Sequence, residues 1–142
     1  MRKTNKPADG RPTSATIRIR NLRLRTLIGF NPEERVKKQD VVLNIEINYS
    51  INNAVLQDNV EQALNYKVIT KKVIEHVESG KFLLLEKLVS EVLAICSEHL
   101  GVRSVSVTID KPHALRFADS VSLTLEYQAS RADIHSILEK AS

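Results

Sequence analysis

Between Val41 and Ile51 the chain alternates: Val41, Leu43, Ile45, Ile47, Tyr49 and Ile51 are apolar, and the residues between them are polar apart from Val42. Successive side chains of a strand point to opposite faces, so a period of two marks a strand with one buried face. A strand this long cannot stand alone. Its backbone N–H and C=O groups need partners, and its apolar face needs a covering layer. The rest of the chain must supply both.

The partners are legible. A first strand begins near Thr16, with Ile17 and Ile19 on one face and Leu22 and Leu24 in the opposite phase. The phase slips by one near Asn21, and a bulge absorbs such a slip. Arg18, Arg20, Arg23 and Arg25 fill the alternate positions, where they can line a tunnel or pair with Glu46 across the hairpin. Gly29 and Asn31-Pro32 mark the turn that follows. Two long strands with no helix between them pair as an antiparallel hairpin. Two more alternating runs come late: Val105, Val107 and Ile109, then Val121, Leu123, Leu125 and Tyr127.

The cover is helical. After Asn65, a suitable N-cap, Val68, Ile69, Val73, Ile74 and Val77 make one face, and Gly80 ends the run. A second helix runs from about Leu84 to His99 with Leu85, Leu88, Val89, Val92, Leu93 and Cys96 as its stripe. Residues 52–59 read as a polar loop. The order strand, strand, helix, helix, strand, strand specifies an α+β domain, a four-stranded antiparallel sheet with two helices on one face. The first two strands leave exposed edges, and joining sheets between subunits is one way to manage them.

A chain of 142 residues holds one domain, placed at 16–128. Residues 1–15, broken by Pro7, Gly10 and Pro12, read as a disordered basic arm. Residues 129–142 form a tail in which Ile134, Ile137 and Leu138 have the spacing of a short helix. Residues 1–25 hold eight basic side chains and one acid, a net of +7 against +4 for the whole, so the remainder is net −3. A basic arm can serve a nucleic acid. The aromatic residues are few, however, and are not interleaved with the basic ones as stacking platforms, so no nucleic-acid partner is expected. No apolar run spans a bilayer and no signal peptide is evident, so no membrane partner is expected. The single cysteine, Cys96, lies on an apolar helix face and reads as a buried structural thiol, which fits a reducing cytoplasm.

The four histidines, His76, His99, His113 and His135, lack ligand-like spacing, so no metal site is expected. There is no glycine-rich phosphate loop and no Gly-x-Ser-x-Gly. Four features remain. Glu86 sits among Leu83, Leu84, Leu85 and Leu88 at a helix start, where it is either an ordinary N-terminal acid or an acceptor for two adjacent N–H donors. Tyr66 stands where the other helix begins, and Glu34 lies in the loop before the second strand. Their plainer readings are a packed aromatic and a surface charge. The join from Ile109 to Ser120 carries Lys111, His113, Arg116 and Asp119, and its plainer reading is a solvated loop.

Together, the strand order, Gly29 with Glu34 five residues later, Leu64-Asn65-Tyr66, Leu85-Glu86-Lys87-Leu88 and Lys111-Pro112 resemble the dihydroneopterin aldolase family. Residues 18–26, Ala63 to Tyr66 and the loop from Asp110 through Ser122 resemble more closely the family's epimerase branch, which acts on dihydroneopterin triphosphate. The resemblance covers about residues 16–128. It implies the tunnelling fold, in which four subunits join their sheets into a barrel and two rings stack into a homo-octamer with active sites between subunits. It implies a pterin substrate and no cofactor, because the dihydropterin imine is itself the electron sink for a retro-aldol step. Aldolases release the aldehyde; epimerases recombine it and invert C2′.

The implied catalytic residues are Lys111 for proton transfer near the ring nitrogen, Tyr66 from a neighbouring subunit for the hydroxyl proton, and Glu34 to orient Lys111 or the substrate side chain. Glu86 would grip the pterin amino group and ring N–H, with the backbone near Leu64 and Leu85 at other ring edges. Both activities share this core. Phosphate binding separates them, and Arg23, Arg25, His113 and Arg116 supply positive charge for a triphosphate. The expectation is therefore the epimerase, with the aldolase as alternative. A silent pterin binder would not need Glu34, Tyr66, Glu86 and Lys111 together.

Overall fold

The computed structural model describes residues 10–130. Its long strands are β1 (Ser14–Ile28), β2 (Gln39–Ser50), β4 (Val102–Pro112) and β5 (Ser120–Gln128), and its main helices are α2 (Tyr66–Ser79) and α3 (Leu85–Cys96). β1 pairs with β2, β2 with β4 and β4 with β5, all antiparallel. This is the expected sheet with both helices on one face. The expected disordered arm over residues 1–15 is corrected at its end, where Ser14 and Ala15 belong to β1 and pair with Ser50 and Tyr49; its first nine residues, and the expected helix around Ile134 to Leu138, lie outside the described residues.

Three details differ from the sequence expectation. Residues 52–59 are not all loop: α1 (Asn53–Leu56) is capped by Asn52, and Asn59 caps a 3-10 turn at Val60–Gln62. Asparagine side chains supply the missing acceptors there, and elements this short carry no apolar period. A two-residue strand, β3 (Lys81–Phe82), pairs parallel with Leu27 and Ile28 and adds a fifth member, giving the order β3-β1-β2-β4-β5. Finally, α3 stops at Cys96, with Ser97 as its C-cap, short of His99.

The bulge falls where the phase slip required it. The β1–β2 register shifts between Ile19 and Leu22, and Asn21 has a φ of 54°. Asparagine tolerates that left-handed backbone better than most residues. Its N–H donates to Asn44 Oδ1 at 3.0 Å, and Asn44 Nδ2 donates back to Asn21 Oδ1 at 3.4 Å. The extra residue returns Leu22, Leu24, Thr26 and Ile28 to the face that Ile17 and Ile19 occupy.

The core lies between sheet and helices. Leu43, Ile45 and Ile47 of β2, Val107 and Ile109 of β4, Val73 and Val77 of α2, and Leu88, Val89 and Val92 of α3 are all buried. Each side chain of this kind contributes about 1.5–3 kcal/mol by leaving water. Cys96 is buried among them, and burial pushes its thiol up to about 12, as suits a structural residue. No helix among the described residues is long and apolar enough to cross a membrane.

The other face of the sheet is polar and open. Arg18 pairs with Glu46 across the hairpin, one of the two expected fates for the strand-one arginines. Asn48, Ser104, Ser106 and Glu126 line the same groove of about 560 Å³. The helices themselves run in opposite directions. Residues at the start of α2 (Asn65, Ile69, Lys72) border the end of α3 (Ile95, Glu98), with Lys72 4 Å or less from Glu98, at 3.8 Å. The end of α2 meets β1 instead: Gly80 O accepts from Thr26 Oγ1 at 3.4 Å.

Candidate active site

Lys111 lies on β4 two residues past buried Ile109 and so on the helix side of the sheet. There Lys111 Nζ donates to Glu34 Oε2 at 2.6 Å, joining residues 77 apart in sequence. The two side chains are only 16% and 22% exposed. Glu34 comes from the β1–β2 loop and is held at several points. Gln39 Nε2 donates to its Oε2 at 3.2 Å and to Ile28 O at 2.6 Å, and the Asn31 N–H donates to Oε1 at 3.4 Å. Below the carboxylate lies Gly29, with a φ of 126°. Its N–H donates to Phe82 O at 2.9 Å, so β3 fixes the floor of the site.

The hydrogen bond from Lys111 holds the Glu34 carboxyl below the usual carboxylate range, against the opposing effect of burial, with Gln39 and Asn31 adding to the depression. A lowered folded-state pKa gives stability that is fully present above the unfolded value. It is lost as pH falls through the depressed one. Thermal melts of wild type and Glu34→Gln should therefore differ most at neutral pH and converge as the pH drops below the carboxylate range. A Tm gap that persists in acid would contradict the assignment.

Glu86 lies at the same end of the molecule. β3 beside Leu27 and Ile28 leads directly into α3, and Glu86 is in that helix's first turn. It is exposed and has no hydrogen-bond or ion-pair partner among the described residues. Leu85 is half-buried beside it. The loop after Lys111 turns at His113, whose φ is 65°, and is closed at its base by Ser120 Oγ donating to Asp110 Oδ2 at 2.9 Å. His113, Arg116 and Asp119 are exposed, and the Arg116 guanidinium stands 5.6 Å from the centre of the Phe117 ring.

Other expected site residues do not join this group within one chain. Tyr66, half exposed, and buried Leu64 sit at the start of α2, at the opposite end from Gly80. A helix of 14 residues puts roughly 20 Å between those ends. Arg23 and Arg25 alternate with buried Leu24 and Thr26 and so project from the open face, away from Lys111. Arg25 is also engaged, with Asp40 at 3.5 Å and with Lys38 O at 3.1 Å. Gln39 escaped the sequence reading. The signal was its place two residues before Val41, in phase with the buried face of β2.

Each segment that carries a site residue also exposes a large apolar one. Phe30 and Val36 flank Glu34, Leu83 and Leu84 precede Glu86, and Leu115 and Phe117 follow Lys111. Phe117 is 96% exposed. Among the described residues no cluster of three or more His, Cys, Asp or Glu is placed to hold a metal ion.

The sequence profile of FolB, dihydroneopterin aldolase, matches residues 17–126. The chain belongs to the dihydroneopterin aldolase family. Among its relatives, the dihydroneopterin triphosphate 2′-epimerase of Escherichia coli K12 is 51% identical over 115 residues, which is 81% of this chain and 96% of the relative. The enzyme of the same name from Pseudomonas aeruginosa is 51% identical over 114 residues, 80% of this chain and 93% of the relative. The dihydroneopterin aldolase of E. coli K12 is 30% identical over 108 residues, 76% and 88% of the two chains. Among solved structures, E. coli dihydroneopterin aldolase in complex with neopterin superimposes with a TM-score of 0.74 at 28% identity, covering 80% of this chain and 98% of that one.

This dihydroneopterin aldolase family member is an enzyme. Its chemical equipment in one protomer is a lysine hydrogen-bonded to a fixed carboxylate, and a second carboxylate, at the start of α3, with no partner among the described residues. The first pair can take up and return a proton without moving. The second can accept two parallel N–H bonds from a flat heterocycle.

Proposed function

We propose that the protein inverts C2′ of 7,8-dihydroneopterin triphosphate, giving dihydromonapterin triphosphate, by a retro-aldol and aldol sequence. The observation that carries the reading is the Glu34–Lys111 pair at 2.6 Å, which supplies the family's proton-transfer group in a shielded position. The choice of epimerase over aldolase rests on the greater identity to two epimerases than to an aldolase.

Glu86 accepts the pterin's amino and ring N–H groups and sets the ring against the start of α3. Backbone near Leu85, and near Leu64 of the adjoining subunit, meets the other edges. Tyr66 of that subunit takes the proton of the 2′-hydroxyl. The C1′–C2′ bond breaks, its electron pair passes into the conjugated imine, and Lys111 delivers a proton to the ring nitrogen. An enamine and a triphosphate-bearing aldehyde result. The aldehyde presents its other face, the steps reverse, and C2′ is inverted. Glu34 holds Lys111 throughout.

The site is shared between subunits of a homo-oligomer, a ring of four that pairs into an octamer. Two observations support this. Tyr66 begins α2, whereas it is the far end of that helix, at Gly80, that leads through β3 to Gly29 beneath Glu34, and the large apolar residues on the segments that carry Glu34, Glu86 and Lys111 are exposed in a lone protomer. Large apolar side chains exposed on every segment that carries a site residue are the kind of surface a neighbouring subunit covers.

His113 and Arg116 stand on the exposed loop beyond Lys111 and meet the phosphates. Arg116→Ala is expected to raise KM for the triphosphate on the order of tenfold, the loss of one charge-assisted contact, and to affect dihydroneopterin far less. Equal losses on both would remove Arg116 from phosphate binding. The function itself is tested by incubating the protein with dihydroneopterin triphosphate and with dihydroneopterin, and measuring the 2′ epimer and the free aldehyde separately. Epimer as main product from the triphosphate is expected. Free glycolaldehyde from dihydroneopterin, with no epimer from the triphosphate, would make the enzyme an aldolase.

A further inference from the structure

Tyr66 opens a surface of α2 to which no substrate contact has been assigned. Tyr66, Lys67, Thr70, Lys71, Ile74 and Glu75 line a shallow groove of about 430 Å³ along that helix. Lys67 and Lys71 are exposed, and neither has an ion-pair partner among the described residues. Lys72, by contrast, is tied to Glu98. Thr70 Oγ1 is turned back onto Tyr66 O at 2.7 Å. The one acid of the groove, Glu75, lies a turn beyond Lys71, on the side away from Tyr66. The first turn of α2 holds no acidic residue. Lys67, in the first turn, works against the helix dipole, so the dipole does not account for its place there.

The substrate's own connectivity explains the two lysines. C2′ carries the hydroxyl that Tyr66 deprotonates, and C2′ is bonded to C3′, whose oxygen carries the triphosphate. A tyrosine in contact with the 2′-hydroxyl therefore has the first phosphate as its near neighbour. Lys67 follows Tyr66 directly, and Lys71 stands about 6 Å further along the axis, in the direction a chain of phosphates can extend. Ammonium groups without acidic partners are suited to that load. Arg23 and Arg25, on the open face of the sheet, are not placed to share it within one chain.

We propose that Lys67 and Lys71 complete, with His113 and Arg116, the triphosphate subsite of the adjoining subunit's active site. The proposal rests on the epimerase reading and on Tyr66 serving a neighbouring site. It adds a reason for the choice of product. After the C1′–C2′ bond breaks, the aldehyde fragment keeps its triphosphate. Lysines that hold the phosphates retain the fragment while its carbonyl turns over, so recombination outruns escape. An unphosphorylated fragment has no such tether and leaves. One helix thus supplies both the proton shuttle and the tether.

The test compares wild type, Lys67→Ala/Lys71→Ala and Lys67→Arg/Lys71→Arg on dihydroneopterin triphosphate and on dihydroneopterin. It records KM, kcat, and the ratio of released aldehyde to epimer. For the alanine pair, the preference in kcat/KM for the triphosphate should fall at least tenfold, and the aldehyde-to-epimer ratio from the triphosphate should rise. The arginine pair, which keeps both charges, should restore both quantities. An unchanged preference and ratio in the folded alanine pair would overturn the subsite, and so would equal losses on the two substrates. Wild-type protein that leaves the triphosphate unaltered would overturn the epimerase reading and the subsite with it. Wild-type epimerisation that is indifferent to the lysines overturns the subsite alone.

Discussion

Lys111→Ala should lower kcat by about 10²–10⁴-fold, the range that a positioned proton donor contributes. KM should change far less, because Glu86 and the ring-binding backbone are untouched. The structural consequence is separate and measurable. Lys111 is the closest partner of Glu34, at 2.6 Å, and both side chains are largely shielded. Its removal leaves a carboxylate that has lost its main stabilising contact, at a cost of about 1–3 kcal/mol. Converting Glu34 to glutamine in the same chain should return part of that stability without returning turnover. If Lys111→Ala kept its activity, the proton-transfer role would be wrong. The same variant tests whether sites are shared. Lys111→Ala and Tyr66→Phe each lack one of the two proposed proton-transfer groups. If every site takes Lys111 from one chain and Tyr66 from another, subunits reassembled from an equal mixture should recover about a quarter of wild-type activity, because closed oligomers combine protomers at each interface. A mixture that stayed inactive would place both residues in one chain's site.

Gly29→Ala is expected to damage the same site from below, without altering any group that could touch substrate. A φ of 126° is open to glycine and strained for alanine. A methyl group there would also lie 2.2 Å from the Glu34 Cδ and 2.4 Å from each carboxylate oxygen. An unconstrained glutamate would swing aside. This one is bound by Lys111, Gln39 and Asn31, so displacing it breaks contacts that hold Lys111. Backbone strain alone costs about 1–3 kcal/mol. A lower Tm together with a tenfold or greater fall in kcat is expected, since misplacing a catalytic group by about 1 Å can cost on that order or more. The decisive measurement is a double-mutant cycle with Glu34→Ala. If Gly29→Ala acts by displacing Glu34, its effect on kcat should largely vanish once Glu34 is gone. Fully additive losses would show that Gly29 acts elsewhere.

Both predictions turn on contacts that differ in how far the sequence announces them. The elements were legible because their signals are local. Alternation from Val41 to Ile51 marks β2, the stripe from Leu85 to Cys96 marks α3, and Asn65 and Gly80 bound α2 through capping chemistry within a few residues. The bulge at Asn21 was legible for the same reason, as a slip in a period of two. What stayed hidden was either too short to have a period, as with β3 and α1, or dependent on which strands become neighbours. Gln39 illustrates the second case. Its place in phase with Val41 hinted that it points inward, but nothing near it in sequence says that it will meet the Ile28 carbonyl and Glu34 together.

The sequence by itself determined the order of the long strands and main helices and the residue types available for pterin chemistry. These depend on periodicity and on each segment's own polarity. Tertiary structure alone decided that Glu34 closes on Lys111 across 77 residues, that Arg23 and Arg25 face away from that pair, and that Tyr66 stands a helix length from it. The physical reason is that sheet register and the opposed directions of α2 and α3 set these distances. Both follow from how the whole core packs, and no local pattern carries them. The same packing leaves Lys67 and Lys71 beside Tyr66 without acidic partners among the described residues, on the face of α2 where the proposed triphosphate subsite lies.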